Sequence, residues 1–155
     1  MRRGVRPALA FALVLAALPA AAADAERTLC RGGESVLFSC RIGARLLSLC
    51  TRPEAPRLSY RFGVPGRVEL DYAGPFLRSS LPGYGGGVTS VLFSRGGYDY
   101  AVYSRARRAP GGGDPETEDG VTVSRAGRRL KTWVCDDGGA GFRAGLDWLP
   151  RKPGE

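Results

Sequence analysis

Between Ser35 and Cys135 the apolar residues recur at alternate positions, in short runs cut off by glycine and proline. Val36, Phe38 and Cys40 share one face of such a run. Leu58, Tyr60 and Phe62 share another, and Val68, Leu70 and Tyr72 a third. A period of two belongs to a strand that turns one face to a core and the other to water. Beyond the first 23 residues no apolar set repeats at i, i+3, i+4 and i+7, so helices have no face to bury. Glycine and proline at regular intervals punctuate strands and interrupt helices.

The runs pair into hairpins. Ser35–Cys40 and Leu46–Cys50 flank Arg41-Ile42-Gly43-Ala44-Arg45. Leu58–Phe62 and Arg67–Tyr72 flank Val64-Pro65-Gly66. Val88–Ser94 and Tyr98–Ser104 flank Arg95-Gly96-Gly97, and Val121–Ser124 and Leu130–Cys135 flank Gly127. Close antiparallel pairing needs tight turns, which glycine supplies. Residues 73–87 and 105–120 read as long loops, and Phe142–Leu149 as a short closing segment. The expectation is an all-β chain: one small antiparallel β-sandwich or barrel of about eight strands.

Four cysteines lie in this region, at 30, 40, 50 and 135, separated by 10, 10 and 85 residues. Zinc sites favour close cysteine pairs with histidine, and the chain has no histidine. The same lack removes the usual base for a catalytic thiolate. The cysteines therefore read as two disulfides. Three pairings are open; the favoured one, Cys30–Cys50 with Cys40–Cys135, would tie the first hairpin to the C-terminal strand.

The beginning of the chain agrees with that chemistry. Arg2, Arg3 and Arg6 precede the apolar run Ala8–Ala17; Pro19 ends it, and Ala21-Ala22-Ala23 precede Asp24. This is the layout of a secretory signal peptide over residues 1–23, leaving 24–155 as a single domain. The apolar run falls short of the roughly 20 residues that a membrane span needs. No later segment is long and apolar enough to span a bilayer after cleavage. A periplasmic or secreted product is expected, in a compartment where disulfides persist.

The formal net charge is +8. The leader carries three of the 23 basic residues and none of the 15 acidic ones, so the mature part holds +5. A modest positive charge suits an anionic partner, such as a cell-envelope polymer or headgroups, or a solvated surface that prefers arginine. The arginines are scattered, with no basic stripe and no recognition motif, so nucleic acid is not an expected partner. The oligomeric state cannot be read from the sequence.

Candidate chemistry is sparse. Gly83-Tyr84-Gly85-Gly86-Gly87 lacks the Lys-Ser/Thr of a phosphate loop. Asp114, Glu116, Glu118 and Asp119 could offer oxygens to calcium, but Pro115 and the spacing miss the usual loop pattern, and a solvated acidic loop is preferred. No metal or other cofactor is expected. Glu69 and Asp71 share a strand face and are the one carboxylate pair that could serve acid–base chemistry. Tyr98, Tyr100, Tyr103 and Tyr84, with Arg105, form the candidate binding surface, because tyrosine joins a large apolar body to a polar tip. Core packing is the competing role for the strand tyrosines.

The runs FSCRIGARLLSLC, LSYRFGVPGRVELDY and LFSRGGYDYAVYS are similar to small exported proteins of Gram-negative bacteria with no established activity. The similarity covers about Cys30 to Cys135 and carries no functional residues with it. In design the chain more loosely resembles periplasmic lysozyme inhibitors, which are small disulfide-bearing β-proteins. Gly97–Ser104 faintly resembles their inhibitory segments and departs from their motifs. That resemblance implies a non-catalytic binding protein, with inhibition of a cell-wall hydrolase such as lysozyme as its concrete form. The reading from another class is a small polysaccharide hydrolase using Glu69 and Asp71.

Overall fold

The computed structural model describes residues 27–83, 85–138 and 140–155. The expected signal peptide and Tyr84 lie outside the described residues. Nine strands follow in chain order: β1 (Ser35–Ile42), β2 (Arg45–Arg52), β3 (Ala55–Val64), β4 (Arg67–Tyr72), β5 (Leu77–Gly83), β6 (Gly86–Arg95), β7 (Tyr98–Arg107), β8 (Glu116–Arg125) and β9 (Arg128–Val134). They form two antiparallel sheets, β1-β2-β3-β4 and β5-β6-β7-β8-β9, in which every neighbour is also the neighbour in sequence. No helix occurs among the described residues, so none is long and apolar enough to cross a membrane.

The four expected hairpins are present, and the turns show why glycine sits in them. Gly96 and Gly97 link β6 to β7 with φ of 60° and 78°. Two consecutive positive φ values give a connection whose twist matches the strands. The β8–β9 connection repeats this geometry with Ala126 at φ 48° before Gly127 at 75°. Alanine there carries the steric cost of its Cβ, about 1–2 kcal/mol.

Two expected loops are partly strand. Leu77–Gly83 lies within 73–87 yet pairs with β6 from Leu77↔Leu92 to Gly83↔Gly86. Its sequence, LRSSLPG, is poor in β-branched and aromatic residues, and its strand state comes from tertiary pairing. The C-terminal tail supports its free edge: the Arg78 amide donates to the Pro150 carbonyl, and the Lys152 amide donates to the Arg78 carbonyl, both at 2.8 Å. The other stretch, 105–120, is strand at both ends. Arg105 faces Glu118 and Arg107 faces Glu116 across β7 and β8. Opposite charges directly across a ladder stabilise it. Of the acids considered for calcium, Asp114 alone remains in the connecting loop, while the other three belong to β8.

Both sheets feed one core. Phe38, Leu47, Leu49 and Tyr60 come from the first, and Val91, Phe93, Val102 and Val121 from the second. Phe93 is the joint: Tyr60 lies 4.8 Å from its ring, Tyr72 4.6 Å and Tyr100 4.7 Å, centroid to centroid. From the C-terminal segment, Leu146 and Leu149 are buried in the same core, and Phe142 lies 5.3 Å from Phe38.

The disulfides join Cys30 to Cys50 and Cys40 to Cys135, with Cα separations of 5.4 and 5.7 Å. The second links β1 of one sheet to the end of β9 in the other. The first fixes residues 27–34 as a strap over the outer face of the first sheet. Beneath the strap Arg61, 3 % exposed, meets both Glu34 oxygens at 2.5 and 3.0 Å. Hydrogen bonding from Arg61 holds the Glu34 carboxyl below its ordinary value of 4.5, against the opposing effect of burial. Ser48, fully buried, accepts from the Leu29 amide at 2.9 Å and lies 3.0 Å from the Ser39 hydroxyl.

Candidate functional site

The inner face of the second sheet changes character along its strands. On β6 the inward positions run Phe93, Val91, Thr89, Gly87; on β7 they run Tyr100, Val102, Ser104, Ala106. On β8 they run Val123, Val121, Asp119, Thr117. One end is apolar and packs into the core; the other is polar or small. Across that polar end Ser80, Thr89, Ser104 and Asp119 face one another strand by strand, in a single row over β5 to β8.

This end is roofed by residues 140–147. Between roof and sheet lies a cleft of about 680 Å³, lined by Ser80, Thr89, Ser104 and Thr117 on the sheet side and by Gly141 and Phe142 opposite. Arg78 spans it. Its Nε donates to the Leu149 carbonyl at 3.2 Å, and its terminal nitrogen lies 3.4 Å from the Asp147 carboxylate. The roof is held by a buried group: Asp119, 2 % exposed, accepts the Gly141 amide on Oδ2 at 2.7 Å. Its Oδ1 is buried without a partner among the described residues. Gly141 has φ 66°, and a Cβ on it would sit 3.3 Å from the Ser104 hydroxyl. Glycine thus lets the roof approach the row.

Among the described residues, the hydroxyls of Ser80, Thr89, Ser104 and Thr117 make no hydrogen bond to the protein. Donors and acceptors that face an open cleft unpaired are available to a ligand. The cleft offers hydroxyl groups, one arginine and one aspartate. Among the described residues it presents no pair of carboxylates and no thiol, since all four cysteines are bridged.

The candidate tyrosine surface is arranged otherwise. Tyr100 lies half-buried against the core, its ring stacked on Phe93 at an interplanar angle of 3°. Tyr98 carries Arg125 over its ring at 5.2 Å. Tyr103 is buried on the opposite face of β7, with Arg105 over its ring at 5.4 Å. Its hydroxyl donates to Glu118 at 3.0 Å. Burial, helped by that bond, pushes its phenol up to about 12. A Cβ at Gly120, directly across the ladder, would come within 3.0 Å of the Tyr103 ring. These tyrosines pack the sheet and do not converge on one exposed patch. Arg105 is spoken for by Glu118 at 3.4 Å.

The carboxylate pair is also engaged. Arg45 Nε reaches both Glu69 oxygens at 2.9 and 3.0 Å. Asp71 meets Arg31 at 2.8 Å and Arg61 at 3.3 Å. Two groups of cysteine and acid come close enough to suggest a metal, Cys30-Glu34-Cys50 and Cys40-Cys135-Asp137. In both, the sulfurs are already bonded to each other, so no thiolate remains to bind one.

The cleft row carries a signal in the sequence that the hairpin pattern alone does not bring out. Continuing the alternation of β6 and β7 beyond Val91 and Val102 leads to Thr89 and Ser104, polar residues on a core-facing side. Comparison with protein-family models, with curated proteins and with solved structures finds no match.

Proposed function

We propose that the chain is an exported binding protein without catalysis, with residues 1–23 as its signal peptide and its two sheets forming a disulfide-reinforced β-sandwich. The observation that carries the binding reading is the row Ser80–Thr89–Ser104, whose hydroxyls face an open cleft unpaired by protein. The two disulfides fit an oxidising compartment, periplasmic or extracellular. The concrete form is inhibition of a cell-wall hydrolase such as lysozyme. Its support is likeness of design alone: small size, all-β architecture and disulfides.

Lysozyme activity with and without the purified protein tests the concrete form. Inhibition of at least one lysozyme type supports it, and no change across several types removes it. A cleft-filling substitution, Ser104→Phe, then locates the contact: inhibition falls while the melting temperature is kept. Inhibition unchanged in a folded Ser104→Phe protein moves the contact elsewhere.

The hydrolase reading rests on Glu69 and Asp71. Both are paired with arginines, and neither lines the cleft that holds the hydroxyl row. A glycan-hydrolysis screen repeated on Glu69→Gln decides it, because loss of a measured activity in that variant would restore the reading.

A further inference from the structure

Beyond Ala140, on the side away from the hydroxyl row, lies a second cavity of about 570 Å³ lined by Arg27, Arg41, Arg143, Ser39, Leu46 and Asp137 together with Ala140. The three arginines come from three parts of the chain: the strap, β1 and the C-terminal segment. Each is pinned to β1. The Arg143 amide donates to the Leu37 carbonyl at 2.8 Å. The Ser39 hydroxyl donates to the Arg27 carbonyl at 2.7 Å. Arg41 is itself in β1; its carbonyl accepts the Asp136 amide at 2.8 Å, and its amide donates to Asp137 Oδ2 at 2.9 Å. The Cys40–Cys135 disulfide locks the neighbouring residues of both segments. Alternate positions of one strand, 37, 39 and 41, therefore bring three arginines to the lining of one cavity.

Among the described residues their charge is not matched by carboxylates. Asp137 is the one carboxylate in the lining, and one of its oxygens is taken by a backbone amide. Among the described residues no carboxylate lies within ion-pair distance of Arg27, Arg41 or Arg143. By contrast Arg31, Arg45, Arg61, Arg78 and Arg105 are all paired. Like charges gathered at one place repel, and an anion between them converts that repulsion to attraction. A guanidinium fork matches two oxygens of a carboxylate or a phosphate.

We propose that this cavity binds an oxyanion group, phosphate or carboxylate, presented by an anionic ligand. The site is separate from the hydroxyl row and does not depend on the lysozyme reading. The net positive charge of the chain would draw such a ligand in.

The test is a titration of the purified protein with inorganic phosphate, acetate or chloride at constant ionic strength, followed by amide chemical shifts. Saturable shifts at Arg41, Asp137 and Arg143 with phosphate or acetate, and none with chloride, support the proposal. Which oxyanion saturates tells whether the ligand group is phosphate or carboxylate. Arg143→Gln keeps the backbone bond to Leu37 and should weaken binding about tenfold, the worth of one charge-assisted hydrogen bond. The control Arg128→Gln/Arg129→Gln, which removes exposed charge on β9, should leave binding unchanged. The proposal is overturned by non-saturating shifts with both oxyanions, by unchanged affinity in Arg143→Gln, or by equal weakening in the β9 control.

Discussion

Two polar rows, one from each sheet, are treated in opposite ways. In the first sheet Ser39, Ser48, Arg61 and Asp71 face one another across β1 to β4. The strap buries Ser48 and Arg61 and leaves Asp71 exposed at its edge, and each side chain has a partner: serine with serine, Arg61 with Glu34 and Asp71, Asp71 also with Arg31. In the second sheet Ser80, Thr89, Ser104 and Asp119 run across β5 to β8. There a cleft stays open, and one bond, from Gly141 to Asp119, is made. Burying an unpaired polar group costs free energy, so a paired and covered row contributes to folding. The hydroxyls of Ser80, Thr89 and Ser104, left unpaired at the cleft, contribute little to folding and stay free to bind.

The contrast can be broken at the first row. The largest stability loss should come from removing the Cys40–Cys135 bridge, which spans 95 residues and joins the two sheets. Chain-entropy arguments put it at about 5 kcal/mol, readable as a lowered denaturation midpoint in Cys40→Ser/Cys135→Ser. Next, Arg61→Ala takes from the buried Glu34 its two-pronged partner and leaves it the Arg31 amide at 2.7 Å and Arg52 at 4.0 Å, at about 3 kcal/mol in the same measurement. The pair also sets a pH dependence. The Glu34 carboxyl is lowered in the fold, chiefly by the Arg61 hydrogen bond. Its contribution is therefore full above its ordinary value of 4.5 and is lost as pH falls through the lowered value. Denaturation midpoints taken between neutral pH and pH 3 should fall more steeply in the native protein than in Glu34→Gln. A smaller effect of opposite sign belongs to the β8–β9 turn: Ala126→Asn should raise stability by about 0.5–1 kcal/mol, because asparagine tolerates a positive φ better.

Much of this frame is legible in the sequence. Alternation at Leu58–Phe62, Arg67–Tyr72 and Tyr98–Ser104, with glycine between runs, marks the hairpins locally, since strand period and turn chemistry are short-range properties. It also places Tyr98 and Tyr100 on the face opposite Tyr103. What is not legible depends on distant chain. β5 is a strand because β6 and the C-terminal tail pair with it, and LRSSLPG carries no local sign of that. Asp119 sits in an acidic run that reads as solvated, yet the roof at Gly141 buries it. Arg27, Arg41 and Arg143 look scattered along the chain until β1 gathers them.

The most direct measurement compares one serine from each row by equilibrium denaturation. Ser48 is fully buried and bonded to the strap; Ser104 faces the cleft unbonded. Ser48→Ala should cost about 1–3 kcal/mol by leaving the Leu29 amide without its acceptor. Ser104→Ala should stay within about 0.5 kcal/mol of the native protein. Equal losses at the two positions, or a larger loss at Ser104, would contradict the assignment of the second row to binding.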